Sequence, residues 1–310
     1  MSKLYIIGNG FDLYHGYKTR YLDFKEYLKK NGSEYPIGSS FHISDLFSDV
    51  DESTWCDLEN ELPNIDFSAW ASWFSSSLDS DLEDKEFDWE VARNKSLLED
   101  FKEIKEKMLN ALSCALNDFI LDATENKISK QIEFEKLFST TDKFITFNYS
   151  YTLENIYSIK PDNILHIHGV AKSRYVRNDD YLYGTLYNEV PIIFGHGRDF
   201  VLEDDDAEND FFSPHRILNS VSNNLRKSYQ IDRFGDFVSK FNPLEIEIIG
   251  HGFGKVDFPY FKKLNELLKP SVKIVYRLHD EKELNNKRKV LKNIFGKRNI
   301  VIKDYAGNVL

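Results

Sequence analysis

Cysteine is nearly absent from this sequence, and its scarcity excludes two kinds of site. Only Cys56 and Cys114 occur among the 310 residues, so neither a disulfide framework nor a zinc site of four cysteines can form. Two cysteines also fit a reducing cytoplasm. Because 41% of the residues are hydrophobic, a chain of this length can bury a sizeable core without cross-links.

Long apolar runs are missing as well. The earliest run, Leu4-Tyr5-Ile6-Ile7, ends at Gly8 and is far too short for a secretory signal. No later run approaches the length of a membrane span. We therefore expect a cytoplasmic protein that makes no membrane contact.

Positive charge is in deficit, because 40 Lys and Arg residues face 51 Asp and Glu residues for a net charge of −11. Such a surface repels phosphate backbones, so nucleic acid is not expected as a general partner. A small anionic ligand stays compatible with this charge, because glycine turns and helix N-termini bind phosphate through backbone N–H groups.

Short apolar segments that alternate with helical patterns predict a doubly wound, mostly parallel α/β sheet of Rossmann-like type. Helices are expected near Tyr21 to Leu28, from Ser213-Pro214 onward, and from about Tyr260 to Leu268. The acidic segment 203–210 is interpreted as a solvated loop. The predicted strands are Leu4–Ile7, Phe144–Phe147, Ile164–Ile167, Pro191–Phe194, Ile246–Ile249, Val272–Val275 and Ile300–Ile302.

Residues 38–130 interrupt this alternation. All four tryptophans (Trp55, Trp70, Trp73 and Trp89) fall there, and an apolar stripe predicts a long helix near Lys95 to Leu121. We interpret 38–130 as a helical insertion that packs as a cap on a core made of 1–37 and 131–310.

Five predicted strands end in glycine or polar residues, and open α/β sheets bind ligands at the carboxyl ends of their strands. An ordinary turn is the alternative at each glycine motif and at Asn148, and Asp12 and His15 either bond a ribose hydroxyl or cap a helix. The five ends are Gly8-Asn9-Gly10-Phe11-Asp12, Asn148-Tyr149, His168-Gly169, Gly195-His196-Gly197 and Gly250-His251-Gly252.

His166 and His168 lie two residues apart on a predicted strand, so they share a face. Such a pair is half of a metal site, but the alternative of a buried core histidine is more common, and we expect no metal. His168 is the better placed of the two for general-base chemistry, because it lies at the strand's end.

The opening motif resembles the signature of the AbiH family of bacterial abortive-infection proteins. It runs Ile6-Ile7-Gly8-Asn9-Gly10-Phe11-Asp12-Leu13, followed by His15-Gly16, Thr19, Tyr21 and Phe24. Similar motifs follow in the same order at Trp55…Leu58-Glu59, Phe147-Asn148-Tyr149-Ser150, His166-Ile167-His168-Gly169, Ile193-Phe194-Gly195-His196-Gly197 and Ile249-Gly250-His251-Gly252…Asp257.

AbiH proteins in turn resemble remote members of the sirtuin-like superfamily, and that resemblance implies NAD as the ligand. It assigns catalysis to Asn148 and His168. It departs from the sirtuin deacylases, which need four zinc-binding cysteines, and from many NAD-cleaving relatives, which have aspartate where this chain has Ser150. The residues expected to bind the nucleotide are Gly8, Asn9, Gly10, Phe11, Asp12, His15, Thr146, Gly195, His196, Gly250, His251 and Asp257.

Three functions are compatible with these residues. The first is a phage-defence effector that hydrolyses NAD at the nicotinamide–ribose bond. The second is a non-catalytic nucleotide sensor that acts through a partner, and the third is a metal-dependent hydrolase using Asp12, His166 and His168. A homo-oligomer or a phage-derived trigger is also compatible with the sequence.

Overall fold

A computed structural model describes residues 3–37, 41–65, 108, 110–126, 128–173, 192–197 and 225–310. Six strands in this part of the chain form one parallel sheet in the order β3-β2-β1-β4-β5-β6. This is the order of a doubly wound Rossmann-like fold, so the predicted fold class is confirmed. The strands are β1 (Leu4–Ile7), β2 (Lys143–Thr146), β3 (Ile164–His166), β4 (Glu245–Ile249), β5 (Lys273–Leu278) and β6 (Ile300–Asp304).

The described helices surround this sheet. Single 3-10 turns also occur at Gly32–Glu34, Leu62–Asn64, Pro161–Asn163, Lys255–Asp257 and Glu281–Glu283. The helices are α1 (Asn9–Tyr14), α2 (Tyr21–Asn31), α3 (Ile43–Leu46), α4 (Glu52–Cys56), α5 (Leu58–Glu61), α6 (residues 110–124), α7 (Ile132–Leu137), α8 (Thr152–Tyr157), α9 (Ile231–Phe241), α10 (Phe258–Leu267) and α11 (Leu284–Phe295).

Alternate residues of each strand point to opposite faces of the sheet, so the sheet has two hydrophobic layers. On β1, Leu4 and Ile6 pack under α9, α10 and α11, whereas Tyr5 and Ile7 pack against α1, α7 and α8. All four side chains are completely buried. The continuous apolar run of β1 follows from this burial on both faces.

A third hydrophobic cluster joins α2 to the described part of the predicted insertion. Phe24 on α2 packs against Trp55 on α4 and Phe119 on α6. Trp55 is only 1% exposed. Trp70, Trp73 and Trp89 lie outside the described residues, as do residues 95–107 of the predicted long helix.

Several sequence predictions meet a different outcome. The predicted strand Pro191–Phe194 is wrong for its described residues, because 192–195 have no regular secondary structure. The turn predicted after β1 is itself the first turn of α1, which begins directly at Asn9. The helix predicted from Ser213-Pro214 and the acidic loop 203–210 lie outside the described residues. No helix of the described part is long and apolar enough to cross a membrane.

Candidate functional site

A cavity of about 320 Å³ opens at the carboxyl ends of β1, β2, β3 and β4. In the strand order, β1 and β4 mark the point where the chain changes direction across the sheet, which is the usual ligand site of such folds. Glu59, Leu116, Phe119 and Ile120 from the predicted insertion also line the cavity. These four residues therefore lie at this edge of the sheet.

Nine of the predicted site residues line this one cavity, although they come from four separate stretches of the chain. Asn9 is held by Thr19 at both ends of its amide: Nδ2 donates to the Thr19 carbonyl at 2.8 Å, and Thr19 Oγ1 donates to Asn9 Oδ1 at 2.6 Å. The nine residues are Gly8, Asn9, Gly10, Asp12, Asn148, His168, Gly250, His251 and Asp257.

His15 lies away from the cavity, in the layer between the sheet and α7 and α8. Its Nδ1 contacts the Phe11 carbonyl at 2.7 Å and its Nε2 contacts the Tyr157 hydroxyl at 2.6 Å. Because a carbonyl only accepts, Nδ1 carries the proton and Nε2 accepts from the tyrosine. His15 therefore ties α1 to α8, and Phe11 packs in the same layer.

Thr146 and the Gly195-His196 turn do not line the cavity, but they hold neighbouring residues in place. The Asn148 N–H donates to Thr146 Oγ1 at 3.1 Å, which fixes the turn after β2. His196 exchanges backbone hydrogen bonds with Leu225 and Lys227, at 2.9 and 2.8 Å. A Cβ on Gly195 would lie 2.0 Å from the Leu225 carbonyl oxygen, so this turn sets the position of Lys227.

The glycines after β1 and β4 are explained by the packing of the two turns against each other. The Gly10 N–H donates to the Gly250 carbonyl at 2.8 Å, and a Cβ on Gly8 would lie 2.6 Å from His251 Cα. Gly250 has φ +67°, and its Cβ would meet the Phe11 nitrogen at 2.2 Å. Gly252 alone of these faces open space, with no atom within 4 Å of its Cβ position.

A buried charge cluster forms one wall of the cavity. Lys227 Nζ lies 3.1 Å from both carboxylate oxygens of Glu59 and 3.5 Å from Asp257 Oδ1. The Lys227 side chain is completely buried. Glu59 and Asp257 therefore share a single ammonium group.

The pKa values of the cluster follow from burial and from this lysine. Burial lowers the pKa of Lys227, but Glu59 and Asp257 outweigh it and hold the pKa above the ordinary lysine value. Burial favours a higher pKa for Asp257, yet Lys227 and His251 keep it below its usual range. For Glu59, burial prevails over Lys227 and raises the pKa. Asp257 is thus the firmly ionised carboxylate of the pair.

Two histidines face Asp257 with opposite tautomers. The Phe253 N–H donates to His251 Nδ1 at 3.0 Å, so His251 Nε2 carries the proton, 3.3 Å from Asp257 Oδ2. His168 donates to the Phe147 carbonyl, and its Nε2 lies 3.5 Å from Asp257 Oδ1 without a hydrogen bond. Burial and the Lys227 charge lower the pKa of His168 to about 3. The imidazole is therefore neutral at cellular pH.

Three buried acceptor atoms on residues that line the cavity have no hydrogen-bond partner among the described residues. They are Asp12 Oδ1, Asn148 Oδ1 and His168 Nε2. Buried polar atoms are seldom left unpaired in folded proteins, so such a group is satisfied by a water molecule or by a ligand that supplies the missing donors. Since all three accept, that ligand needs hydroxyl or N–H groups.

A second cavity of about 520 Å³ lies beside the first, over β4 and β5. The two share Gly10, Gly250, His251 and Gly252 as their common wall. Arg20, Arg277 and Lys287 line the second cavity, together with Asp280 and Glu283. Together, the two cavities offer room for one ligand that extends over the ends of β1 and β4.

The metal-site hypothesis gains no support from the described residues. No group of three or more His, Cys, Asp or Glu side chains in the described part is arranged to hold an ion. His166 Nε2 instead contacts Glu154 Oε1 at 2.8 Å.

Lys227, Glu59 and Ser150 were not identified as site residues from sequence. Glu59 stands in a motif of the family resemblance, but its role depends on a partner 168 positions away. Lys227 follows Arg226 in a polar stretch that is typical of a solvated surface. Nothing in that pattern predicts a buried lysine.

The family described as Bacteriophage abortive infection AbiH matches this chain over residues 4–278. No curated protein matches the chain.

Proposed function

The chain belongs to the AbiH family of bacteriophage abortive-infection proteins, and we propose that it acts in this defence by hydrolysing NAD. The bond cleaved joins nicotinamide to ribose, and the loss of NAD stops the infected cell before phage are released. The cavity over β1 to β4 is the site of this reaction, with Asn148 and His168 as its central residues.

The observation that carries the proposal is the set of unpartnered acceptors at Asp12, Asn148 and His168. A ribose and the water that attacks it present hydroxyl donors side by side, which matches a site whose free buried atoms all accept. Leaving any of these atoms unpaired costs about 1 to 3 kcal/mol. A ligand rich in hydroxyl groups recovers this energy on binding.

The charge of the cavity favours the reaction chemistry. When nicotinamide leaves, positive charge develops on the ribose carbon, and fixed negative groups lower the energy of that state. Asp257 is held ionised beside the site, and Asp12 lines the same cavity. Lys227 lies between Glu59 and Asp257, so its charge is not directed at Asp257 alone.

Asn148 and His168 take complementary parts in this proposal. The free Asn148 Oδ1 orients a sugar hydroxyl or the attacking water. His168 stays neutral at cellular pH and offers Nε2 to a second hydroxyl, so it positions the sugar. The adjoining cavity over β4 and β5 gives the rest of the dinucleotide a place across the shared glycine wall.

The test measures nicotinamide release from NAD by the purified protein and by Asn148→Ala and His168→Ala. Each replacement should lower kcat by about a hundredfold or more while the near-UV circular dichroism spectrum is unchanged. Asn293→Ala on α11, where the side chain is exposed, is the matched control and should keep wild-type kcat.

Equal turnover by wild type and Asn148→Ala would refute the site assignment. If the wild type binds NAD but releases no nicotinamide, with and without extract of phage-infected cells, the protein is a nucleotide sensor instead. Both measurements use the full-length chain.

A further inference from the structure

Asp12 is a buried carboxylate whose two oxygens have different surroundings. It lies on α1, is 1% exposed, and lines the cavity together with Asn148 and His168. Its Oδ2 accepts a hydrogen bond from Ser150 Oγ at 2.6 Å, whereas Oδ1 is buried without a partner. One oxygen of the carboxylate is therefore held by the protein, and the other is left for a ligand.

Ser150 and Thr152 fix that arrangement. Ser150 gives its hydroxyl proton to Asp12 and lies 2.8 Å from the Thr152 hydroxyl, which also lowers the Asp12 pKa through a hydrogen bond. Ser150 follows Asn148 on the turn after β2. The hydroxyl chain thus ties the carboxylate of α1 to the turn that presents Asn148.

The other ionisable groups around the cavity are less suited to accept a proton. His168 has its pKa lowered to about 3, Lys227 and His251 hold Asp257 below its usual pKa, and both oxygens of Glu59 face Lys227. Burial raises the pKa of Asp12, against the opposing effect of its hydrogen bonds, chiefly that from Ser150. A carboxylate with a raised pKa is the stronger base at cellular pH.

We propose that Asp12 is the general base of the site, accepting through Oδ1 the proton of the water that attacks the ribose carbon. This rests on the NAD hydrolysis proposed above. The water oxygen bonds to the ribose carbon as the bond to the nicotinamide nitrogen breaks. The electron pair of that bond leaves with nicotinamide, which becomes neutral. The water proton passes to Asp12 and then to solvent, so the step needs no oxidant or reductant.

The same geometry predicts the pH dependence of the reaction. A base is active when ionised, so kcat should fall as the pH decreases through the pKa of Asp12. The titratable groups that interact with Asp12 in the described chain are His166 on β3, which lowers its pKa, and Tyr17 after α1. Removing the Ser150 hydroxyl should move the acid limb of the kcat profile to higher pH, because that hydrogen bond stabilises the ionised form.

The experiment compares wild type, Asp12→Asn, Ser150→Ala and the exposed control Asp236→Asn. Nicotinamide release gives kcat across pH, and calorimetry gives the Kd for NAD. Asp12→Asn should lower kcat at least about a hundredfold and lose the acid limb, with the Kd changed by less than about threefold. Ser150→Ala should remain active with its acid limb displaced upward, and Asp236→Asn should match wild type.

Several results overturn the assignment of Asp12, and they differ from those against NAD hydrolysis itself. If wild type and Asp12→Asn release nicotinamide equally, the reaction stands but Asp12 is not its base. A weaker Kd with unchanged kcat would show that Asp12 only binds. If Asp12→Asn fails to fold, an unshifted acid limb in Ser150→Ala decides against the proposal. A wild type without turnover under any condition refutes both proposals together.

Discussion

The imidazole of His168 is kept neutral by its surroundings. It is buried, the Lys227 ammonium acts against a second positive charge, and His251 adds to this effect, whereas Asp257 acts in the opposite direction. Burial and Lys227 prevail. A sequence pattern shows that a histidine ends a strand, but it does not show which charges surround the ring. The low pKa therefore had to come from the structure.

This burial predicts that acid weakens the fold through His168. The unfolded chain binds a proton at this ring below its reference pKa of 6.5, whereas the folded chain does so only below about 3. Because the unfolded state holds more protons between these values, stability should fall as the pH decreases through this window. From pH 7 to pH 5 the loss attributable to His168 is about 2 kcal/mol.

Urea denaturation of wild type and His168→Gln at pH 7, 6 and 5 measures this loss. The variant should lose about 2 kcal/mol less than wild type over the range, and Asn293→Ala, which removes an exposed side chain without a titratable group, should behave as wild type. Equal pH slopes for wild type and His168→Gln would contradict the low pKa. Groups with raised pKa values, such as Asp12, are common to both proteins and cancel in the comparison.

At the level of elements, the turns after β1 and β4 work as one unit. Each turn presents backbone to the other at a distance that a side chain would prevent. From the sequence, the glycines of both turns were expected to let the backbone approach a phosphate. The structure gives these glycines a different use, because the β4 turn occupies the space beside Gly8 and Gly10.

This packing predicts unequal effects for two neighbouring glycine substitutions. Gly250→Ala should destabilise the protein by about 2 to 4 kcal/mol, because the new Cβ strikes backbone at 2.2 Å and φ is +67°. Gly252→Ala meets no atom within 4 Å, so its effect on stability should stay within about 0.5 kcal/mol. Thermal or urea denaturation of both variants tests this, and equal losses would show that the turns are not packed as described.

Buried strands were predictable where burial on both faces leaves a continuous apolar run in the sequence. Leu4–Ile7 shows this clearly, because its four residues are all buried and coincide with β1. Ile192–Phe194 has a similar composition but pairs with no strand of the sheet. An apolar run predicts burial, but it does not show whether the segment pairs with a strand.

The candidate site was predictable to a similar degree. Strand-end residues such as Asn148 and Gly250 meet in one cavity, because parallel strands place all their carboxyl ends at one edge. Lys227 and Glu59 were not predictable as site residues, because their pairing depends on how distant segments fold over that edge. Long-range ion pairs leave no periodic pattern in a sequence.

At the scale of the whole molecule, the Lys227 cluster joins three distant parts of the chain. Glu59 belongs to the predicted insertion, and Asp257 directly precedes α10. Lys227 donates a backbone hydrogen bond to His196 in the Gly195-His196 turn. The ion pairs lie where described residues of the insertion line the cavity at the sheet edge. We therefore expect Lys227 to couple the stability of the described part of 38–130 to the stability of the core.

Lys227→Met should be among the most destabilising single substitutions, because it leaves two buried carboxylates without a cation. Removing one partner of a buried ion pair typically costs about 3 to 5 kcal/mol. Glu59→Gln leaves Lys227 with Asp257 and should cost less. The double variant removes the unpaired charge of Glu59, so it should be more stable than the sum of the single effects predicts, by about 0.5 to 3 kcal/mol. Urea denaturation of the four proteins gives this coupling energy.

Lys29→Met, which breaks the exposed pair of Lys29 with Glu26, is the control and should change stability by less than about 1 kcal/mol. Strictly additive losses in the Lys227 and Glu59 variants would mean that the two side chains do not act as a pair. In that case the insertion and the core would be joined by hydrophobic contacts such as that of Phe24 with Phe119 alone.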